Sequence, residues 1–468
     1  MSDLVLIIPE LVLAGTALAL ILSARRIQRT PVAAIGTVLA AIAAAVISGL
    51  LLSRGSKIGF GGMIALDGYS QFFKVLIGAT LAVVALLSVN SFGEERAMRV
   101  EYHILLLLAS TGMMLAVSAH DLLPLYLSLE LMTLCSQILV GIRVESPASN
   151  EAGVKYFLLG SFASALLIYG ISLTYGITGT TDFAGIASAV SQHSAANNLL
   201  LVIAIGLVAA GLAFKIAAVP LHTWAPDAYQ GASTPIAAFL ASGSKAVGLA
   251  VFGRVCLAAY GSQAHTLSVI LETLAGLSIV VGSIVALSQT DMKRLLAYSS
   301  IAHAGYALLG LIGGAPAGAS ATMTYAFFYT FMTLGAFGVV AALGKRGEQL
   351  EGYRGLAAQR PGTAMLMLLF LVSLTGIPPT AGFTAKFGVI LSVVRAGHIP
   401  LAVLAVACSV VSAFFYMRVV VLMYMNGPEE PEPSGLPAPV FAGLAVAALV
   451  TVIGGIAPGS LAPWAVSP

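Results

Sequence analysis

The sequence predicts an all-α polytopic membrane protein with about fourteen transmembrane helices, and three observations carry that prediction. Of the 468 residues, 59% are hydrophobic and 9% are charged, where a soluble domain carries about a quarter charged residues. Mean hydropathy is +0.99. Apolar runs of the length needed to cross a bilayer, about 20 residues, recur from one end of the chain to the other. The loops between them are short, with no soluble domain and no alternating strand pattern.

Taken in order, the first spans lie near 4–22, 32–52 and 69–91 and form an N-terminal three-helix segment, residues 1–100. The opening MSDLVLIIPELVLAG has no basic n-region and carries Asp3 and Glu10, so it reads as a retained span and not as a cleaved signal peptide. Spans near 102–118, 121–141, 153–176, 198–219 and 236–260 make a first unit, 101–260. Spans near 267–287, 295–313, 320–343, 364–397 and 400–425 make a second unit, 261–426. A last helix, 438–457, lies in residues 427–468.

Two spans look interrupted. The 34 residues of 364–397 would measure roughly 51 Å as one helix, against a hydrocarbon core of about 30 Å. Pro378 and Pro379 sit in its middle, in LTGIPPTAG, and adjacent prolines cannot continue a helix. Half-helices joined by an irregular segment are the economical solution. Backbone exposed at that depth is tolerated only inside protein or beside water. The run 198–219 ends against Pro220 in the same way. Each unit thus holds one broken helix with a lysine beside it, the pattern of inverted repeats in secondary transporters.

Basic residues orient the chain. With the N-terminus outside, the inside loops hold Arg25, Arg26, Arg29, Arg96, Arg99, Arg143, Lys293, Arg294, Lys345, Arg346, Arg354 and Arg360. The outside loops hold little beyond Arg54, Lys57 and Arg395. Fourteen spans then place both termini outside.

An ionisable group at mid-bilayer costs about 2.5–3.5 kcal/mol on insertion scales, so each is a functional candidate. Glu130 lies within span five, Lys215 in broken span seven, Lys245 in span eight and Lys386 just after the break of span twelve. The competing reading is a set of structural ion pairs. One glutamate cannot neutralise three lysines, so at most one simple pair is expected. The chain has 14 arginines and 8 lysines, yet all three deep cations are lysine, which unlike arginine can give up its proton when buried. Three such lysines with a carboxylate make a proton relay.

Other groups carry less weight. Glu10 and Glu272 lie near span ends and read as interfacial; Arg254 and Arg418 lie toward helix ends, where they can snorkel. His303, in YSSIAHAGY, can bridge protons between the units or serve as a hydrogen-bonded core histidine. His222 and Asp227 follow the first break and read as its cap. Cys135, Cys256 and Cys408 read as packing residues. His103 and His120 fall at opposite ends of span four, too far apart to share a haem iron, and there is no cysteine framework for an iron–sulfur cluster. No nucleotide fingerprint appears, so any electron chemistry belongs to partners. A net charge of +3 without a basic arm excludes nucleic acid as a partner.

The segment GLAFKIAAVPLHTWAPDAYQGASTPIAAFLASGSK (211–245) closely resembles the signature of the antiporter-like membrane subunits of respiratory complex I, the proton-translocating NADH:quinone oxidoreductase. DMKRLLAYSSIAHAGY (291–306) and LTGIPPTAGFTAKF (374–387) resemble two further motifs of that family. Within it the likeness is to the N type. That type has a lysine in the setting matched by Lys386, where the M type carries glutamate. The L type extends into a lateral helix, whereas this chain stops at Pro468; the presence of the first three spans favours a bacterial source.

The resemblance implies fourteen helices in inverted repeats and places functional ionisable groups on Glu130, Lys215, Lys245 and Lys386, the four selected on physical grounds. It implies a cytoplasmic-membrane location and a hetero-oligomer with other complex I membrane subunits. No cofactor is expected in this chain, the flavin, iron–sulfur clusters and quinone site belonging to other subunits. The alternatives are a subunit of a multisubunit cation/proton antiporter, a membrane scaffold and a solute carrier; no polar constellation for a solute is visible.

Overall fold

Apolar composition leaves the backbone one way to satisfy its hydrogen bonds inside a bilayer, the helix, and helices make up nearly all of the computed structural model. It describes residues 3–27, 31–89, 98–192, 198–314, 316–427, 435–457 and 459. Arg29, Arg96 and Pro468, and the side chain of Arg99, lie outside the described residues. The helices are α1 (Ile8–Ile27), α2 (Val32–Leu51), α3 (Gly68–Ser88), α4 (Met98–Ser118), α5 (Leu122–Val140), α6 (Pro147–Thr178), α7 (Phe183–Ser191), α8 (Leu199–Lys215), α9 (Trp224–Gly231), α10 (Thr234–Phe239), α11 (Lys245–Arg254) and α12 (Ala264–Ala286). There follow α13 (Met292–Ile312), α14 (Ala317–Leu343), α15 (Leu356–Gln359), α16 (Pro361–Thr375), α17 (Ala381–Arg395), α18 (Ile399–Met425) and α19 (Ala438–Ile456). Among the described residues, 12 continuous helical stretches are long and apolar enough to span a membrane, and α8 and α16 are shorter apolar helices. The chain is an all-α polytopic membrane protein.

Burial sorts the helices. The stretch from α10 through α11, and with it α13 and α14, is almost wholly buried, while α1, α2, α18 and α19 keep about a third of their length inside. Exposed Leu, Ile, Val and Phe on the outer helices, such as Leu22, Phe162 and Val410, are what a lipid-facing surface requires. The core therefore lies around α11, α13 and α14, where the candidate lysines converge.

One element departs from expectation. A hairpin pairs Lys57–Gly59 with Ile64–Leu66 in antiparallel register. Strands of three residues leave no periodic trace in a sequence. Packing holds this one: Asp3 accepts from the Phe60 amide at 2.8 Å, and the Met63 carbonyl accepts from the His120 amide at 2.9 Å.

Both interruptions stand where the prolines place them. α8 ends at Lys215, and the chain turns through Ala217, at φ 55°, before the Val219–Pro220 cis bond. α16 ends at Thr375; Gly376, at φ 90°, caps it before the Pro378–Pro379 cis bond, and α17 resumes at Ala381. Gly376 is required twice over. Its backbone is left-handed, and a Cβ there would stand 2.9 Å from Cδ of Lys386.

Candidate proton-relay site

The first break delivers Lys215 to α5. Its ammonium lies 3.6 Å from Glu130 and donates to the Thr133 hydroxyl at 2.5 Å. Glu130 and Thr133 are three residues apart, on one face of α5. Glu130 also accepts from Ser164 on α6. The freed backbone is satisfied by side chains: the Val219 amide donates to Ser278 at 2.9 Å, and Trp224 donates its ring N–H to the Phe214 carbonyl at 3.1 Å. Trp224 stacks on Tyr156 at 4.4 Å.

Trp224 and Ser278, then, cap the break, His222 sits against the Pro220 backbone, and of the two residues expected to cap it only Asp227 is corrected. Asp227 instead pairs with Lys155 at 3.0 Å and Arg294 at 2.8 Å. Burial alone would raise its carboxyl, but hydrogen bonds from Arg294 and Lys155, with their charges, hold it below the usual carboxylate value. A cap made by an indole and a serine from a distant helix has no local signature.

Lys245 opens α11 and donates to Ser300 on α13, to its carbonyl at 2.6 Å and to its hydroxyl. Lys386 donates to the Thr375 carbonyl at the end of α16, at 2.9 Å, and to Ser409 at 3.1 Å, with its ammonium 4.7 Å from the Tyr306 ring centre. Among the described residues neither lysine has a carboxylate partner. His303 lies between them and feels the charge of both. Its Nδ1 meets the Tyr325 hydroxyl at 2.6 Å and its Nε2 the Tyr416 hydroxyl at 3.3 Å. Tyr416 is hydrogen-bonded in turn to Ser299, next to the serine that holds Lys245. His303 is thus a hydrogen-bonded core histidine, within reach of the charges of both lysines.

Three further ion pairs each hold a buried cation. Lys74 and Glu10 meet at 2.7 Å, both essentially sealed from solvent, and Lys74 also donates to the Leu6 carbonyl. Glu10 is therefore a buried partner and not an interfacial group. Arg254, expected to snorkel, makes a two-pronged contact with Asp67 at 2.8 and 2.9 Å. Lys293, counted among the loop cations, is buried 2.9 Å from Glu348. Among the four mid-membrane candidates the one simple pair expected is the one found among the described residues, Lys215 with Glu130; the three further pairs escape the sequence because Glu10, Asp67 and Glu348 lie near span ends and their partners are remote along the chain. A lysine six residues into α3 was the one visible signal. Glu272 is half-exposed 3.1 Å from His398, as an interfacial residue would be. Arg418 donates to the carbonyls of Leu287 and Gln289, closing the end of α12. The three cysteines are buried and free. Among the described residues no three His, Cys, Asp or Glu side chains are grouped to hold a metal ion.

Residues 119–412 match the family described as NADH:quinone oxidoreductase/Mrp antiporter, transmembrane. The chain belongs to that family. This antiporter-like chain is 43% identical to NADH-quinone oxidoreductase subunit N of Desulfovibrio desulfuricans, over 99% of this chain and 96% of the relative. It is 44% identical to NADH-quinone oxidoreductase subunit N 2 of Rhizobium meliloti, over 88% and 86%. A chain of respiratory complex I from Thermus thermophilus, solved with bound aureothin, superposes with a TM-score of 0.84 at 33% identity, covering 97% of this chain and 99% of that one. A chain of the Mrp complex from Dietzia sp. DQ12-45-1b superposes at 0.86 with 22% identity, over 99% and 96%, and shares the fold. The antiporter-like chain carries Glu130, Lys215, Lys245, His303 and Lys386 all within the matched region.

Proposed function

We propose that this chain is a proton-translocating membrane-arm subunit of an NADH:quinone oxidoreductase, of the N type, in a bacterial cytoplasmic membrane. Glu130, Lys215, Lys245 and Lys386 form the relay, with His303 bridging between its halves and the breaks at Pro220 and at Pro378 and Pro379 admitting water. It has fourteen spans, both termini outside and two inverted units, 101–260 and 261–426. It performs no redox step. Flavin, iron–sulfur clusters and quinone act in partner subunits, and the other membrane subunits of the complex flank it.

One observation carries the reading: two buried lysines, Lys245 and Lys386, hold their ammonium groups on neutral oxygens alone, while Lys215 is shared between a carboxylate and a hydroxyl. Permanent structural cations are paired, as Lys74 and Arg254 are. An ammonium without a counter-charge in an apolar core is close to losing its proton. Lys215 stays cationic while Glu130 is near and releases its proton when the pair is weakened. The proton then moves by way of Lys245 and His303 to Lys386 and leaves on the outer side. Moving each proton against 100 mV costs about 2.3 kcal/mol. Quinone reduction elsewhere supplies it by changing which state of the Lys215–Glu130 pair is favoured.

The test is Lys215→Arg in the assembled complex. Arginine keeps its proton, so NADH-driven proton pumping should fall while assembly persists. Undiminished pumping would exclude deprotonation at Lys215. The antiporter reading, which shares the fold, predicts sodium-dependent proton movement in vesicles without NADH or quinone.

A further inference from the structure

Lys245 begins a helical segment with an unusual setting. α11 is bounded by two π-helical turns, Leu240–Ser244 before it and Val255–Ala259 after it. A π turn inserts a residue into the α ladder and breaks its register, so the flanking helix does not by itself set the depth of α11. Something outside the helix must.

The outer end of α11 is gripped by α3. Asp67, the N-cap of α3, holds Arg254 with both oxygens, at 2.8 and 2.9 Å. The guanidinium lies 5.0 Å from the ring centre of Tyr69, and the Tyr69 hydroxyl donates to the Ala250 carbonyl at 2.9 Å. Asp67 is itself fixed by a capping box with Ser70. The other end of α11 carries the chemistry. Lys245 rests on Ser300, and at Gly248 a Cβ would come within 2.7 Å of Ile216 and 3.4 Å of Lys215. One ten-residue segment therefore carries one lysine of the first unit and packs against the other, and its far end is the anchored one.

We propose that Asp67, Tyr69 and Arg254 are positioning residues, setting how far Lys245 reaches toward Ser300 and how α11 seats against Lys215. The inference rests on the relay reading above. The titratable groups facing Lys245 are His303 on α13, which feels its charge, and Tyr229 on α9 and Tyr329 on α14, both beside Ser300. Lys215 lies across Gly248. A slipped α11 changes the distance from Lys245 to every one of them, and with it the ease of losing the proton.

The experiment measures NADH-driven proton pumping in membrane vesicles against pH, per assembled complex, for Tyr69→Phe and Asp67→Asn. Both should shift the pH midpoint of pumping by roughly half a unit or more, and Asp67→Glu, which keeps an anion for Arg254, should move it back. A purely structural clamp would lower the amount of complex and leave the profile per complex unchanged. Profiles for Tyr69→Phe and Asp67→Asn that superimpose on the parent overturn the proposal. Should Asp67→Asn fail to assemble, Tyr69→Phe, which removes one hydroxyl, decides alone. Lys245→Met separates the two levels. Pumping that survives it sinks the relay reading; pumping lost in it but unmoved in Tyr69→Phe sinks only the positioning role.

Discussion

Lys215 stands 3.6 Å from Glu130, whereas Lys74 stands 2.7 Å from Glu10. The tight pair is sealed in the N-terminal segment. The loose one opens at a helix break, with Thr133 as a competing acceptor. Attraction between buried charges falls with distance and rises steeply as water is excluded, so the Lys215–Glu130 pair is held less firmly than the sealed one and has an alternative acceptor already in place.

Glu130→Gln removes the only carboxylate near Lys215 among the described residues. Pumping coupled to NADH oxidation should fall at least roughly tenfold, the effect of about 1.4 kcal/mol in a barrier, with the complex still assembled. Glu130→Asp, which draws the carboxylate back by one methylene, should give an intermediate rate. Parent-level pumping in Glu130→Gln would remove this pair from the mechanism.

Lys245→Arg and Lys386→Arg retain charge and much of the bulk but cannot release a proton at working pH. Each alone should block proton uptake in vesicles, whereas a relay bypassing either lysine would leave one of the two variants pumping normally.

The Glu10–Lys74 pair separates stability from transport. Lys74→Met strands a buried carboxylate and should cost about 3–5 kcal/mol, while replacing both groups by apolar side chains is often neutral. The amount of folded chain in the membrane should therefore drop in Lys74→Met and recover in Glu10→Leu/Lys74→Met. Failure of the double variant to recover would mean that the pair does more than hold α1 to α3.

Asp227, held below the usual carboxylate value chiefly by Arg294 and Lys155 against the opposing effect of burial, stabilises the fold above its unfolded value near about pH 4. That contribution disappears as the pH falls through the lower folded value. Half-exposed pairs of this kind contribute on the order of 1 kcal/mol or less. The melting temperature of detergent-solubilised complex should drop slightly in Asp227→Asn at neutral pH, and the difference from the parent should close in acid.

The four relay candidates were legible because charge is costly in an apolar run, and the two breaks because proline cannot donate. What the residues could not reveal was who meets whom. Arg254 lies 187 residues from Asp67, and nothing in either neighbourhood names the other. Glu10 looked interfacial because only its position along a span was visible, not the lysine across from it. Trp224 serves the break through its indole N–H while its ring stacks on Tyr156, so an apolar-looking residue carries a polar duty. The hairpin at Lys57–Leu66 is too short to leave a periodicity.

Gly376 links backbone shape to charge in a way that limits what can change there. The aliphatic stem of Lys386 runs through the volume that any side chain at 376 would fill, and its ammonium rests on the carbonyl of the preceding residue, Thr375. An alanine at 376 would thus have to displace the lysine stem as well as strain the turn. The end of one half-helix and the cation of the next are in effect a single fitted part, and neither can vary without the other.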